Sequence, residues 1–140
     1  MNFNGTIIIT DPCYITTNAD YERTNYGSEL DKLGFTTFLV ADTGFGDWSN
    51  HITKDNGEEL GEFCADSGQV CVVLKDEVEK YNPDFLIEYK SYCYATVENF
   101  EGEVEIDTSN PDWTVITGQG NINFTSDVSE KECNGDYDEE

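Results

Sequence analysis

Positive charge is what this sequence has least of. Seven Lys and Arg stand against thirty Asp and Glu in 140 residues, a formal net charge of −23. The cations Arg23, Lys32, Lys54, Lys75, Lys80, Lys90 and Lys131 are dispersed among acids, so no basic patch exists to displace counterions from a phosphate backbone, which argues against direct nucleic-acid binding. Histidine is scarcer still. A Ser-His-Asp or Cys-His mechanism would have to use His51, the only histidine, and "WSNHITK" is a polar surface or turn setting, so no catalytic residue is assigned and an enzyme is not expected. The five cysteines, Cys13, Cys64, Cys71, Cys93 and Cys133, contain no Cys-x-x-Cys pair. An odd number without that spacing fits reduced, buried thiols better than a disulfide framework or a zinc site, and no metal or cofactor is expected. "GQGN" is followed by no Lys-Ser/Thr and reads as a hairpin turn rather than a phosphate loop. The start, "MNFNGTIIITDPCY", lacks both a basic n-region and a long apolar run. It reads as neither signal peptide nor membrane span, which leaves the host bacterial cytoplasm as the expected location.

Aromatic residues are plentiful: eight Phe, eight Tyr and two Trp, 13% of the chain. That is too many for a disordered acidic segment and supplies the material of one core. The acidity is not confined to the end. Seven acids and one cation, Lys131, lie between Asp127 and Glu140, leaving 17 of the 23 net negative charges to residues 1–126. The expected organisation is a single β-rich domain over 1–126 followed by an acidic tail over 127–140.

Within 1–126 the expected class is mostly β (α+β): an antiparallel sheet or meander with one or two short helices. "GTIIIT" predicts a first strand ended by the Asp11-Pro12 turn. A short helix with Tyr21, Leu30 and Leu33 on its face is expected to stop at Gly34. "FTTFLVA" predicts a strand, "DTGFGDWSNH" a glycine-rich turn, and Asp55-Asn56-Gly57 a tight turn. "QVCVVL" reads as a central strand buried on both faces, and "KDEVEKYNPDFLIEYK" as a helix broken near Asn82-Pro83. Then come four strands, "SYCYATVENF", "GEVEID", "DWTVITG" and "NINFTS". In the first, Cys93, Ala95 and Val97 share one face; in the second, Glu103, Glu105 and Asp107 make an acidic face opposite Val104 and Ile106.

Four short stretches place Asp or Gly at predicted strand ends: "TDPCY", "DTGFGDW", "DSGQ" and "GQGNINF". Asp11, Asp42, Asp47 and Asp66, with Trp48, could converge on a ligand pocket or cation site; equally, each Asp could cap its own turn by accepting backbone N–H bonds. The order of the four motifs resembles a family of uncharacterised small domains of phages and bacteria, over roughly residues 5–124. The resemblance implies a shared fold and a phage-like origin, and no activity. The last motif departs from the family pattern, with Asn121 where an acid is usual.

The acidity itself is the strongest functional signal. Duplex DNA carries one negative charge per about 1.7 Å of axis, so 23 charges match ~40 Å of duplex. This predicts a phage-encoded inhibitor that mimics nucleic acid and occupies the Arg/Lys channel of a basic host nucleic-acid enzyme, a CRISPR effector being one such target. The expected contacts are Glu130, Glu132, Asp136, Tyr137, Asp138 and Glu139 in the tail, with Glu103, Glu105 and Asp107 as a second patch. A small-ligand module, for example one that takes a nucleotide signal, and a structural phage protein are the alternatives from other classes. Scarce Lys and Arg argue against an anionic ligand.

Overall fold

A computed structural model describes residues 1–16, 24–42, 48–65, 67, 69–85, 94–107, 114–117 and 120–126. The protein is mostly β with a few short helices, built on an eight-stranded sheet whose strand pairs are all antiparallel. The strands are β1 (Asn2–Thr10), β2 (Phe38–Asp42), β3 (Trp48–Lys54), β4 (Glu59–Ala65), β5 (Gln69–Leu74), β6 (Tyr94–Asp107), β7 (Thr114–Thr117) and β8 (Ile122–Ser126). Their order is β2-β5-β1-β6-β4-β3-β8-β7, and a further pairing of β6 with β7 closes the last five into a barrel-like ring.

The uninterrupted apolar runs have a simple cause: β1 and β5 are covered on both faces. Ile7, Ile9, Val70 and Val72 enter the larger core with Phe3, Ile52, Phe63, Phe100, Val104 and Phe124. Their neighbours Ile8, Cys71 and Val73 face the other way, into a second core with Ile15, Leu30, Phe35, Val78 and Phe85. That second layer comes from three short helices, α1 (Pro12–Thr16), α2 (Tyr26–Lys32) and α3 (Lys75–Tyr81). Inside the ring, Phe63 of β4 and Phe124 of β8 meet edge to face at 5.5 Å, a contact worth about 0.5–1.5 kcal/mol beyond area burial.

Local chemistry sets the helix ends. Asn25 caps α2 by accepting from the Ser28 N–H at 3.0 Å. Gly34, at φ +97°, ends it: the Gly34 N–H donates to Asp31 O and the Phe35 N–H to Leu30 O, the paired bonds of a Schellman stop. α3 ends as expected ahead of Asn82-Pro83.

Three sequence expectations need correction. The "DPCY" turn continues into the five-residue helix α1, giving three short helices among the described residues instead of one or two. Trp48 to His51, expected in a turn, lie in β3, where pairing with β4 and β8 overrides the polar local sequence. "SYCYATVENF" and "GEVEID" are not two strands: from Tyr94 they form the single 14-residue β6. Its continuity depends on a bulge. Between the pairs Gly5↔Phe100 and Ile7↔Val97, β1 advances two residues while β6 advances three. The extra residue is absorbed where Asn99 takes φ +52°, its N–H reaching the Thr6 hydroxyl at 3.4 Å.

Candidate functional site

The bulge at Asn99 decides which side chains of β6 face solvent. Before it, Ala95 and Val97 point inward; after it the phase resets, so Phe100 and Val104 are buried while Glu101, Glu103 and Glu105 are exposed and Asp107 is half-buried. Without the reset, a strict two-residue alternation running on from Val97 would turn the carboxylates toward the barrel core. At about 3.4 Å per residue the four carboxylates from Glu101 to Asp107 recur every ~6.8 Å along ~20 Å. On the β1 side the row borders the exposed, uncharged Asn4 and Asn2, which pair with Glu101 and Glu103. The Met1 ammonium lies on it, 3.0 Å from Glu103 Oε1; the contact is exposed, so water screens it.

The expected patch Glu103, Glu105 and Asp107 is therefore one outward side of a strand whose inner side is locked into the core. Glu101 belongs to the same row and was missed, because Glu101-Gly102 read as a break; carrying the Glu-x-Glu-x-Glu-x-Asp spacing back across Gly102 would have found it. Glu130, Glu132, Asp136, Tyr137, Asp138 and Glu139 lie outside the described residues.

The proposed pocket residues have different surroundings. Asp11 is fully buried. Its Oδ1 accepts the Cys13 N–H at 2.9 Å and the Ser67 hydroxyl at 2.7 Å, and its Oδ2 the Ser67 N–H at 2.8 Å. One carboxylate thus starts α1 and clasps the turn that leads into β5, bringing "DPCY" and "DSGQ" together in space. Beside it the Cys71 thiol is held well above the ordinary thiol range, first by burial and then by the Asp11 charge, against a weaker opposing bond from the Thr10 backbone; it stays protonated and is no nucleophile. Asp42 lies at the exposed end of β2, paired in register with Gln69. Trp48 is the first residue of β3. Asp47 and Asp66 lie outside the described residues. Among the described residues no three His, Cys, Asp or Glu side chains group as metal ligands, and no helix is long and apolar enough to cross a membrane.

Two open grooves were not foreseen. One, of about 410 Å³, lies between the end of α2 and α3, with Phe35, Thr36, Glu77 and Tyr81 in its walls; there Glu77 accepts the Thr36 and Thr37 N–H groups and fastens α3 to the approach to β2. The other, of about 350 Å³, opens between β4 and β6 and is rimmed by Glu58, Glu59 and Glu98. Neither groove includes Asp11 or Asp42. Asp55, in the turn from β3 to β4, anchors that hairpin to the start of β8: it accepts from the Asn123 side chain at 3.0 Å and the Asn121 N–H at 3.1 Å. These bonds, the Asn123 bond first, hold its carboxyl below the usual value.

Set against protein-family models, curated proteins and solved structures, the chain matches none of them.

Proposed function

We propose that this protein is an acidic docking protein that binds the cationic surface of a nucleic-acid enzyme and excludes its nucleic acid. The observation that carries the reading is the row Glu101, Glu103, Glu105 and Asp107, held on one side of a strand whose opposite side is buried at Phe100 and Val104. A rigid row loses little conformational freedom on binding and presents its charges already spaced, which favours fast, electrostatically guided association. The magnitude sets a limit. Over ~20 Å a duplex carries about 12 charges, so the four carboxylates of the row supply about a third, and acids elsewhere on the surface must contribute.

In its specific form the protein is a phage-encoded inhibitor of a host defence nuclease, a CRISPR effector being the target whose Arg-lined DNA channel such a surface fits. That form rests on net charge, chain size and the motif resemblance. The test is cleavage of a DNA target by a purified Cas9-type effector at 50 and 300 mM salt, with wild-type protein, with Glu101, Glu103 and Glu105 all changed to Gln, and with a chain truncated after Ser126. Inhibition that fades with salt and is lost in the triple variant is the expected result. If the triple variant inhibits as well as the wild type, the row is not the site, and loss on truncation alone assigns the function to residues 127–140. If no version inhibits, the effector is not the target.

A further inference from the structure

The barrel ring has a weak seam. β3 and β4 share six ladder pairs and β1 and β6 share eight, but β4 and β6 share one, Gly61↔Ala95, among the described residues. Continuing the antiparallel register would place Leu60 opposite Thr96 and Glu59 opposite Val97, and neither pair forms. The strands part there instead, into the groove of about 350 Å³. Two irregularities flank the gap: β4 carries an extra residue, Leu60, between the pairs Ile52↔Gly61 and Thr53↔Glu59, and β6 is bulged at Asn99; such kinks disrupt local pairing. As a result, the β4-facing edge of Thr96–Glu98 has no ladder partner among the described residues, and it borders an open groove rather than a neighbouring strand.

The walls say what fits. Leu60 and Val97 offer apolar surface continuous with the larger core. Around them stand Glu58, Glu59 and Glu98 against one cation, Lys54, which lies 3.7 Å from Glu58. The His51 Nδ1 lies 3.7 Å from the Glu59 carboxylate, and no ion pair engages Glu98 among the described residues. We propose that the seam between β4 and β6 is a docking site for an extended peptide that alternates cationic and apolar side chains. The peptide main chain pairs with the free edge of β6. Its apolar residues enter toward Leu60 and Val97, and its Lys or Arg residues meet Glu59 and Glu98. Strand addition of this kind draws affinity from main-chain hydrogen bonds and specificity from alternate side chains. A peptide of this composition complements the acidic rim, whereas a nucleic acid or an acidic segment is repelled by it. The inference rests on the reading of the protein as a binder of cationic partners and adds a second contact surface, distinct from the row at Glu101–Asp107.

The test uses the full chain and a fluorescein-labelled Lys-Val-Lys-Val-Lys-Val peptide, followed by anisotropy at 50 mM salt. Saturable binding is expected, weakened about tenfold when Glu59→Gln and Glu98→Gln are combined, since two rim charges are lost. The same peptide N-methylated on alternate amides cannot donate to the strand edge and should not compete. Asp31→Asn combined with Asp84→Asn, two exposed acids on the helical side of the sheet, should leave the affinity within about twofold. No saturable binding, full competition by the N-methylated peptide, or equal loss in the Asp31/Asp84 variant would each overturn the proposal. The two readings fail separately: a chain that shows no saturable peptide binding, beside a row variant that loses inhibition of the enzyme, removes the seam and keeps the proposed function.

Discussion

Replacing Gly61 by Ala tests the reasoning about the seam most directly. Gly61 sits at φ +147°, and a Cβ built there would lie 2.5 Å from the Tyr94 carbonyl oxygen and 3.0 Å from Ala95 Cα. Both obstacles are backbone, so no rotamer change relieves them. A non-glycine residue in this conformation costs about 1–3 kcal/mol, and forcing tightly packed chain apart costs about another 1–3 kcal/mol. The expected destabilisation is therefore about 2–6 kcal/mol, a large share of the ~5–15 kcal/mol typical of a domain. Urea unfolding followed by tryptophan fluorescence or circular dichroism would read it as a lower midpoint. Gly57→Ala is the internal control: at φ +91° it has nothing within 4 Å of the built Cβ, so it should cost only the left-handed strain, about 1–2 kcal/mol. If Gly61→Ala shifts stability by less than about 0.5 kcal/mol, or no more than Gly57→Ala, then β4 and β6 do not depend on this close approach and the account of the seam is wrong.

Other expectations follow from the buried clasp and the hairpin anchor. Asp11→Ala leaves the Cys13 and Ser67 N–H groups without their acceptor in a buried setting; a loss of about 2–4 kcal/mol is expected in the same urea assay, and a change within ±0.5 kcal/mol would show that Asp11 is not structural. Asp55 titrates below its usual 3.8 because the Asn123 and Asn121 bonds favour the charged form. In the unfolded chain it takes up its proton at higher pH, so its stabilisation is present above pH 3.8 and is lost as pH falls through the lower folded value. Asp55→Asn should thus flatten the fall of stability as pH drops below 3.8, and superimposable acid limbs for variant and wild type would contradict the bond assignment.

The strands written in β-branched runs were legible at once. "GTIIIT" was legible as a strand from its β-branched residues, and "QVCVVL" could be placed in the sheet interior because five consecutive apolar residues leave no polar side to face water. Gly34 and Asn82-Pro83 marked helix ends through chemistry that acts within a few residues. His51 and Trp48 were misplaced for the complementary reason: their strand is held by β8 and β4, which come from elsewhere in the chain. Glu101-Gly102 resembled a break because a glycine between acids usually marks a turn, and nothing local shows that Asn99 absorbs the misfit. In the candidate site, Glu103, Glu105 and Asp107 were legible from alternation, while Glu58, Glu59 and Glu98 were not, since 39 residues separate Glu59 from Glu98.

The sequence by itself determined the quantities that are sums or short-range patterns: an acidic chain poor in cations, an apolar run that must be covered on both sides, and turns and helix stops made by neighbouring residues. Only the tertiary structure decided that Asp11 and Ser67 meet across 56 positions, that one bulge turns four carboxylates outward along β6, and that β4 and β6 touch at Gly61 and then part. Each of these depends on strand register. Register is set by many weak contacts between distant segments acting together, so no single stretch of the chain encodes it.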